Sequence, residues 1–179
     1  MKIRAASEAD APAVAAIYGH HVLHGLGTFE EIPPSEAEIV NRIRGVLEKG
    51  LPYLVAEDDD GRIAGFAYAA PFRPRAAYRY TAEDSVYVRP DVIGRGVGKT
   101  LVAEVIRACQ AMGLRQLVAV IGDSGNAGSI GLHRSLGFEQ TGVGRAFGYK
   151  HGRWVDIVWM QRALGPGDRA PPEGEGLEP

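Results

Sequence analysis

One cysteine in 179 residues leaves no internal disulfide to form, so the fold has to rest on burial alone. Cys109 falls on the apolar side of a helical pattern, without the helix N-terminus or neighbouring cation that activates a thiol, and is assigned to the core. An excess of charge of one sign is missing too. Twenty Lys and Arg against 22 Asp and Glu leave a net −2, which gives no global pull toward nucleic acid or an acidic membrane. No apolar run reaches membrane-spanning length, and MKIRAASEADAP turns polar too early for a secretory signal. A soluble cytoplasmic protein is expected, with any phosphate site confined to a local feature.

What is present fits one globular domain. The chain is 45% hydrophobic and 23% charged, ordinary values for a sequence long enough to bury a sizeable core. Residues 2–5 read as a strand, and Ser7 with Asp10 as a capping box opening a helix with Val14, Ile17, Tyr18 and Val22 on its apolar face. Ser35, boxed by Glu38, opens a second helix with Ile39, Ile43, Val46 and Leu47. PYLVAE and RIAGFAYAA flank the turn DDDG as a hairpin. RYTAEDSVYV is a long strand, Leu101 to Met112 a helical stripe ending at Gly113, and LVAVI a strand buried on both faces. A short helix then runs to Gly137, and strands near 138–144 and 153–161 close the order β α α β β β α β α β β. The expected division is a domain over 1–164 and a disordered Gly/Pro/Glu-rich tail over 165–179.

DVIGRGVGKTLV, 91–102, is the informative stretch. Three glycines, Arg95 and Lys99 precede a helix, so backbone N–H groups and a helix N-terminus converge on one point, an arrangement that suits an anion. A nucleotide P-loop requires glycine five residues before Gly98, where this chain has Ile93, and the dinucleotide spacing G-x-G-x-x-G fails as well. Both common nucleotide readings therefore weaken, while an anion cradle over Gly94, Arg95, Gly96, Val97, Gly98 and Lys99 remains.

VYVRPDVIGRGVGKTLV, followed by NAGSIGLHRSLGF, resembles the core of the GNAT N-acetyltransferases, whose loop Gln/Arg-x-x-Gly-x-Gly/Ala binds the pyrophosphate of acetyl-CoA. TAEDSVYV, VAVIG, LHRSLGF and YKHGRWVDIVWMQ are similar to the phosphinothricin and methionine sulfoximine acetyltransferase group. The likeness covers everything but the tail, and Ile93 departs from the usual Gln or Arg. It implies an α+β, three-layer fold, with helices on both faces of a mixed, mostly antiparallel twisted sheet. It also implies a cleft in which Val86, Tyr87 and Val88 meet pantetheine, with an oxyanion donor near Val88. Asn126 and Ser129 would contact the cofactor arm.

An amine acceptor must lose a proton before it attacks a thioester. The resemblance makes Glu83 the base, sharing one strand face with Ser85 and Tyr87, and brings His133 into the catalytic or substrate-contacting set. Arg73 and Arg75 would hold an acidic head, a geometry arginine suits, with Phe29, Phe72, Tyr78 and Ser85 around the substrate. His20, His21 and His24 lack a metal-binding pattern and read as a surface face or pocket rim, so no metal is expected. The implied activity is direct acetyl transfer to the α-amine of a small amino-acid analogue, by a homodimer that binds neither nucleic acid nor membrane. A protein N-terminal or peptide acetyltransferase, a P-loop nucleotide hydrolase and a non-catalytic CoA sensor remain as alternatives.

Overall fold

The structure is a computed structural model and describes residues 1–178. Seven strands form one sheet: β1 (Lys2–Ala5), β2 (Tyr53–Glu57), β3 (Ile63–Pro71), β4 (Thr81–Val88), β5 (Gln116–Gly122), β6 (Glu139–Lys150) and β7 (Arg153–Ala163). Their spatial order is β1-β2-β3-β4-β5-β7-β6. Every neighbouring pair is antiparallel except β4 and β5. That parallel pair needs a crossover, which helix α3 (Val97–Ala111) supplies.

Alternation along the strands divides the core in two. Tyr53, Val55 and Phe66 pack under α1 (Ala11–His24) and α2 (Glu36–Glu48), against Val14, Ile17, Val22, Ile39 and Ile43. Ala56, Ala67 and Ala82 face the other way, where α3 lays Leu101, Val102, Val105 and Cys109 on them. Small alanines let α3 approach the sheet closely. Leu101 has no exposed surface, so truncating it to alanine would cost about 2–5 kcal/mol. A three-residue turn, Glu8–Asp10, precedes α1, and Asp10 accepts from the Ser7 N–H at 2.8 Å. At α2 the Ser35 hydroxyl accepts from the Glu38 N–H at 3.2 Å.

Two regions differ from the sequence expectation. β6 runs to Lys150 rather than to about 144, through shifts of register at Gln140/Gly142 and Gly144/Gly148 and a left-handed Ala146. Glycines and a kink inside a strand suppress the pattern that reveals it. Residues 165–178 carry neither helix nor strand, yet lie against the body rather than apart from it. Tyr80 Oη donates to Gly174 O at 2.6 Å and Leu177 N–H to Arg79 O at 2.7 Å. The segment's single leucine, Leu177, is buried in the α3-side core.

Candidate active site

The sheet opens at one place. β4 and β5 pair from Thr81↔Gln116 to Asp84↔Ala119 and no further, although β4 continues to Val88 and β5 to Gly122. Each strand stays bonded on its outer side, Val88 opposite Gly65 of β3 and Gly122 opposite Ile157 of β7. The parting therefore leaves a cleft rather than a frayed end. Its volume is about 550 Å³, and its wall includes Gly25–Gly27 of the loop after α1.

Backbone direction follows from three bonds. Tyr80 O accepts from Arg115 N–H and Gln116 N–H on the β5 side, whereas Arg89 N–H donates to Ala64 O on the β3 side. With a period of two, the main-chain groups of Val86 and Val88 point into the cleft, and those of Tyr87 toward β3. The Val88 carbonyl accepts from His21 Nε2 at 2.8 Å. Burial lowers the pKa of His21 against that bond, which suits a neutral ring carrying its proton on Nε2. What β4 offers inside the cleft is thus the N–H of Val86, the N–H of Val88 and the carbonyl of Val86.

The glycine loop closes one end of the cleft. Gly94 and Gly96 have φ of 82° and 84°, and nothing lies within 4 Å of where their Cβ atoms would be. They are glycines for conformation, not crowding. Thr100 N–H is the first to bond back, to Gly96 O at 3.0 Å, so the N–H groups of Val97, Gly98 and Lys99 have no helical acceptor. Gly98 is small for a different reason: a Cβ there would stand 2.8 Å from Leu132 Cδ1 and 3.3 Å from Val88 Cγ2. Every residue expected to hold the cofactor lines the cleft except Arg95, whose N–H turns back to Val92 O at 3.3 Å. Ile93 lines it instead, 61% exposed.

Helix α4 (Ala127–Ser135) borders the cleft opposite β4. Asn126 caps it, its side-chain oxygen accepting from Ser129 N–H at 3.1 Å. His133 is buried, with Nδ1 2.8 Å from Ser129 O and Nε2 3.1 Å from Asp84 Oδ2.

Glu83, Ser85 and Tyr87 project to the opposite, α1/α2 side, as alternation requires. The Tyr87 ring meets Tyr18 at 4.8 Å and Phe66 at 5.3 Å, and Ser85 is opposite Tyr68 in register. Burial pushes the Glu83 carboxyl above its ordinary pKa; Arg73 opposes the shift and Asp84 adds to it. The Arg73 guanidinium lies 4.5 Å from the Phe72 ring centroid, and that ring meets Tyr78 at 5.5 Å. Among the described residues neither Arg73 nor Arg75 joins a salt bridge. The cleft lining therefore includes Ser85 but not Glu83, Phe29, Phe72, Arg73, Arg75 or Tyr78. Arg73 bears on Glu83, Arg75 and Tyr78 follow it in the turn after β3, and Phe29 lies on the loop after α1.

That loop is firmly seated. Lys150, buried at 2% exposure, donates Nζ to Thr28 O at 2.8 Å. Tyr18 donates to Glu30 Oε1 at 2.9 Å, and Arg42 holds Glu30 at 2.7 Å. Phe29 lies over Gly148, where a Cβ would meet its ring at 2.5 Å.

Sequence reasoning missed Asp84, Lys150 and the loop wall, while of the histidines read as a surface face or pocket rim His21 lines the cleft. Only Asp84 left a signal: it stands between Ala82 and Val86 on an apolar face, where a carboxylate requires a partner. Among the described residues no group of three or more His, Cys, Asp or Glu could hold a metal ion, and no helix is long and apolar enough to cross a membrane.

The model of the acetyltransferase (GNAT) family matches residues 22–138. Phosphinothricin N-acetyltransferase of Alcaligenes faecalis is 53% identical over 171 residues, spanning 96% of this chain and 86% of that protein. L-methionine sulfoximine/L-methionine sulfone acetyltransferase of Pseudomonas aeruginosa is 42% identical over 169 residues, 94% of this chain and 98% of that one. The crystal structure of a GNAT superfamily phosphinothricin acetyltransferase from Sinorhizobium meliloti, in complex with AcCoA, superposes with a TM-score of 0.94. It is 47% identical and covers 99% of this chain and 95% of its own. An open β4/β5 pair beside a glycine-rich helix start, in a chain this similar to those enzymes, places the protein in the GNAT family of acetyltransferases.

Proposed function

We propose that the protein moves the acetyl group of acetyl-CoA to the α-amine of a small amino-acid analogue of the phosphinothricin, methionine sulfoximine or methionine sulfone type. The observation that carries this is the free edge of β4. Val86 and Val88 offer N–H groups where a pantetheine amide can pair as a strand would, and one of them can donate to the thioester oxygen as it gains negative charge. The amides opening α3, with Lys99, suit the pyrophosphate.

On the other side of β4, Glu83 takes the proton from the incoming ammonium, directly or through a water. A carboxyl raised by burial is a better base than a solvated one. The freed amine attacks the thioester carbonyl and the CoA thiolate leaves, with no acyl-enzyme. Cys109, the chain's single thiol, is fully buried and pushed up to about 12 by burial and by Asp84, so it does not serve as a nucleophile. Arg73 and Arg75 are free to take the acidic head of the acceptor.

Phe147, Tyr149 and Trp154 stand 63%, 59% and 67% exposed on β6 and β7, which supports a homodimer through that face. Sedimentation of native protein and Trp154→Glu tests it: a monomer in both would dismiss the dimer. Acetyl-CoA is made inside the cell, which supports a cytoplasmic enzyme. The activity is tested by thiol release from acetyl-CoA across a panel of amino acids and analogues. Turnover is expected with phosphinothricin-type acceptors; CoA binding without release for any acceptor would overturn the assignment.

A further inference from the structure

Asp84 and His133 meet under the cleft, at the last pair of residues that β4 and β5 share. The Asp84 side chain is fully buried and that of His133 is 3% exposed. Both ring nitrogens face acceptors: Nδ1 the Ser129 carbonyl at 2.8 Å, Nε2 the Asp84 carboxylate at 3.1 Å. A carbonyl only accepts, so Nδ1 carries a hydrogen; with the second hydrogen on Nε2, directed at the Asp84 carboxyl that raises the ring's pKa, the ring is an imidazolium.

The surroundings agree with that charge. Burial lowers the pKa of the ring, but the hydrogen bond and the charge of Asp84 outweigh it, leaving the pKa raised. From α3 the Cys109 thiol faces the carboxylate and stays neutral, and the Phe138 ring meets the imidazole edge-on at 5.0 Å. Glu83, next along β4, projects to the other face. Among the described residues Asp84 is the one charged group that bears on the ring. Asp84 Oδ1 has no partner, so the compensation of this buried anion runs through the single bond to His133.

This bond joins two parts of the cleft. Asp84 marks where the strands separate, and His133 grips the carbonyl of Ser129, in the α4 turn that Asn126 caps. We infer that Asp84 is a positioning residue: through His133, bonded to Asp84 at one ring nitrogen and to the Ser129 carbonyl at the other, it fixes the first turn of α4 against the apex of the cofactor cleft. His133 takes no proton during the reaction, a different role from the catalytic one its sequence suggests. The inference rests on the cleft being the acetyl-CoA site.

Two experiments test it. In native protein labelled with 15N-histidine, the His133 ring is expected to show two protonated nitrogens at neutral pH, with and without acetyl-CoA; a neutral tautomer would overturn the inference. Asp84→Asn keeps the shape and removes the charge. It is expected to raise the acetyl-CoA KM about tenfold, while kcat at saturation stays within about twofold and its rise with pH moves slightly toward lower pH, because Asp84 no longer adds to the upward shift of Glu83. A collapse of kcat at unchanged KM would assign the pair to proton transfer instead. Calorimetric titration with acetyl-CoA makes the affinity comparison without any acceptor, so the inference is tested even if the acceptor class proves wrong. If Asp84→Asn does not fold, the ring spectrum of the native protein decides alone.

Discussion

Gly122 is where the loop wall can be tested most sharply. A Cβ built there would stand 2.2 Å from Leu26 O and 3.2 Å from Gly27 Cα. Carbon rests no closer than about 3.3 Å to a carbonyl oxygen, so in Gly122→Ala something must give by roughly 1 Å. The crowded atoms are backbone, which no rotamer change relieves. β5 cannot easily retreat, because its end is paired with Ile157 of β7, so the strain falls on the loop. Overpacking of this kind costs about 2 kcal/mol, a Tm lower by about 4–8 °C in a chain of this size. The same loop lines the cleft with Gly25–Gly27 and leads into Phe29, and a displacement of that size is expected to lower kcat/KM by about 10- to 100-fold. The control is Gly131→Ala in α4, where a Cβ meets nothing within 4 Å; it should gain about 0.5–1 kcal/mol from helix propensity. Thermal melts and steady-state kinetics on both variants make the measurement. Unchanged Tm and kcat/KM in Gly122→Ala would show that Gly122 does not seat the loop.

Glu83→Gln should lower kcat by about 10²–10⁴-fold with the acetyl-CoA KM held, and a kcat near the native value would remove Glu83 as base. In the native enzyme kcat should rise with pH through a midpoint above the ordinary glutamate value, because burial raises Glu83 more than Arg73 lowers it; a midpoint at or below that value refutes this. Gly96→Glu puts a side chain at a left-handed φ of 84° and a negative charge where an anion belongs, so the acetyl-CoA KM should climb at least about tenfold. Asp10 is held down to about 2, chiefly by its hydrogen bond from Arg4. A depressed folded value contributes stability above the ordinary 3.8 and loses it as pH falls toward about 2. Asp10→Asn should thus cost about 2 kcal/mol in urea unfolding at neutral pH and progressively less in acid; a pH-independent difference would show that the ion pair is not its source.

Much of this molecule is legible because local periods carry it. Val14, Ile17 and Val22 repeat as a helix face, DDDG turns a hairpin, and the eleven-element order needs no tertiary information. The glycine loop was legible as a tight entry into a helix because its demands on φ are local, and Gly94 and Gly96 do take left-handed φ. Glu83 and Ser85 share a face by alternation alone. Alternation also puts Asp84 on the other face, but cannot say that a histidine 49 residues later is waiting there. Lys150 ends β6, and its burial depends on a loop more than a hundred residues earlier. What the sequence hid is therefore the long-range half of each interaction.

The open pair of strands has one more consequence. Val86 and Val88 are a place where the sheet has not finished its own hydrogen bonding, and water has to satisfy those N–H groups until a ligand does. A bound pantetheine amide would act as a missing piece of strand, so cofactor binding and local folding become a single event. The amides of Val86 and Val88 should then exchange quickly in the free protein and slowly in the complex, while those of Ala82 and Asp84, on the zipped part of the same edge, are slow in both.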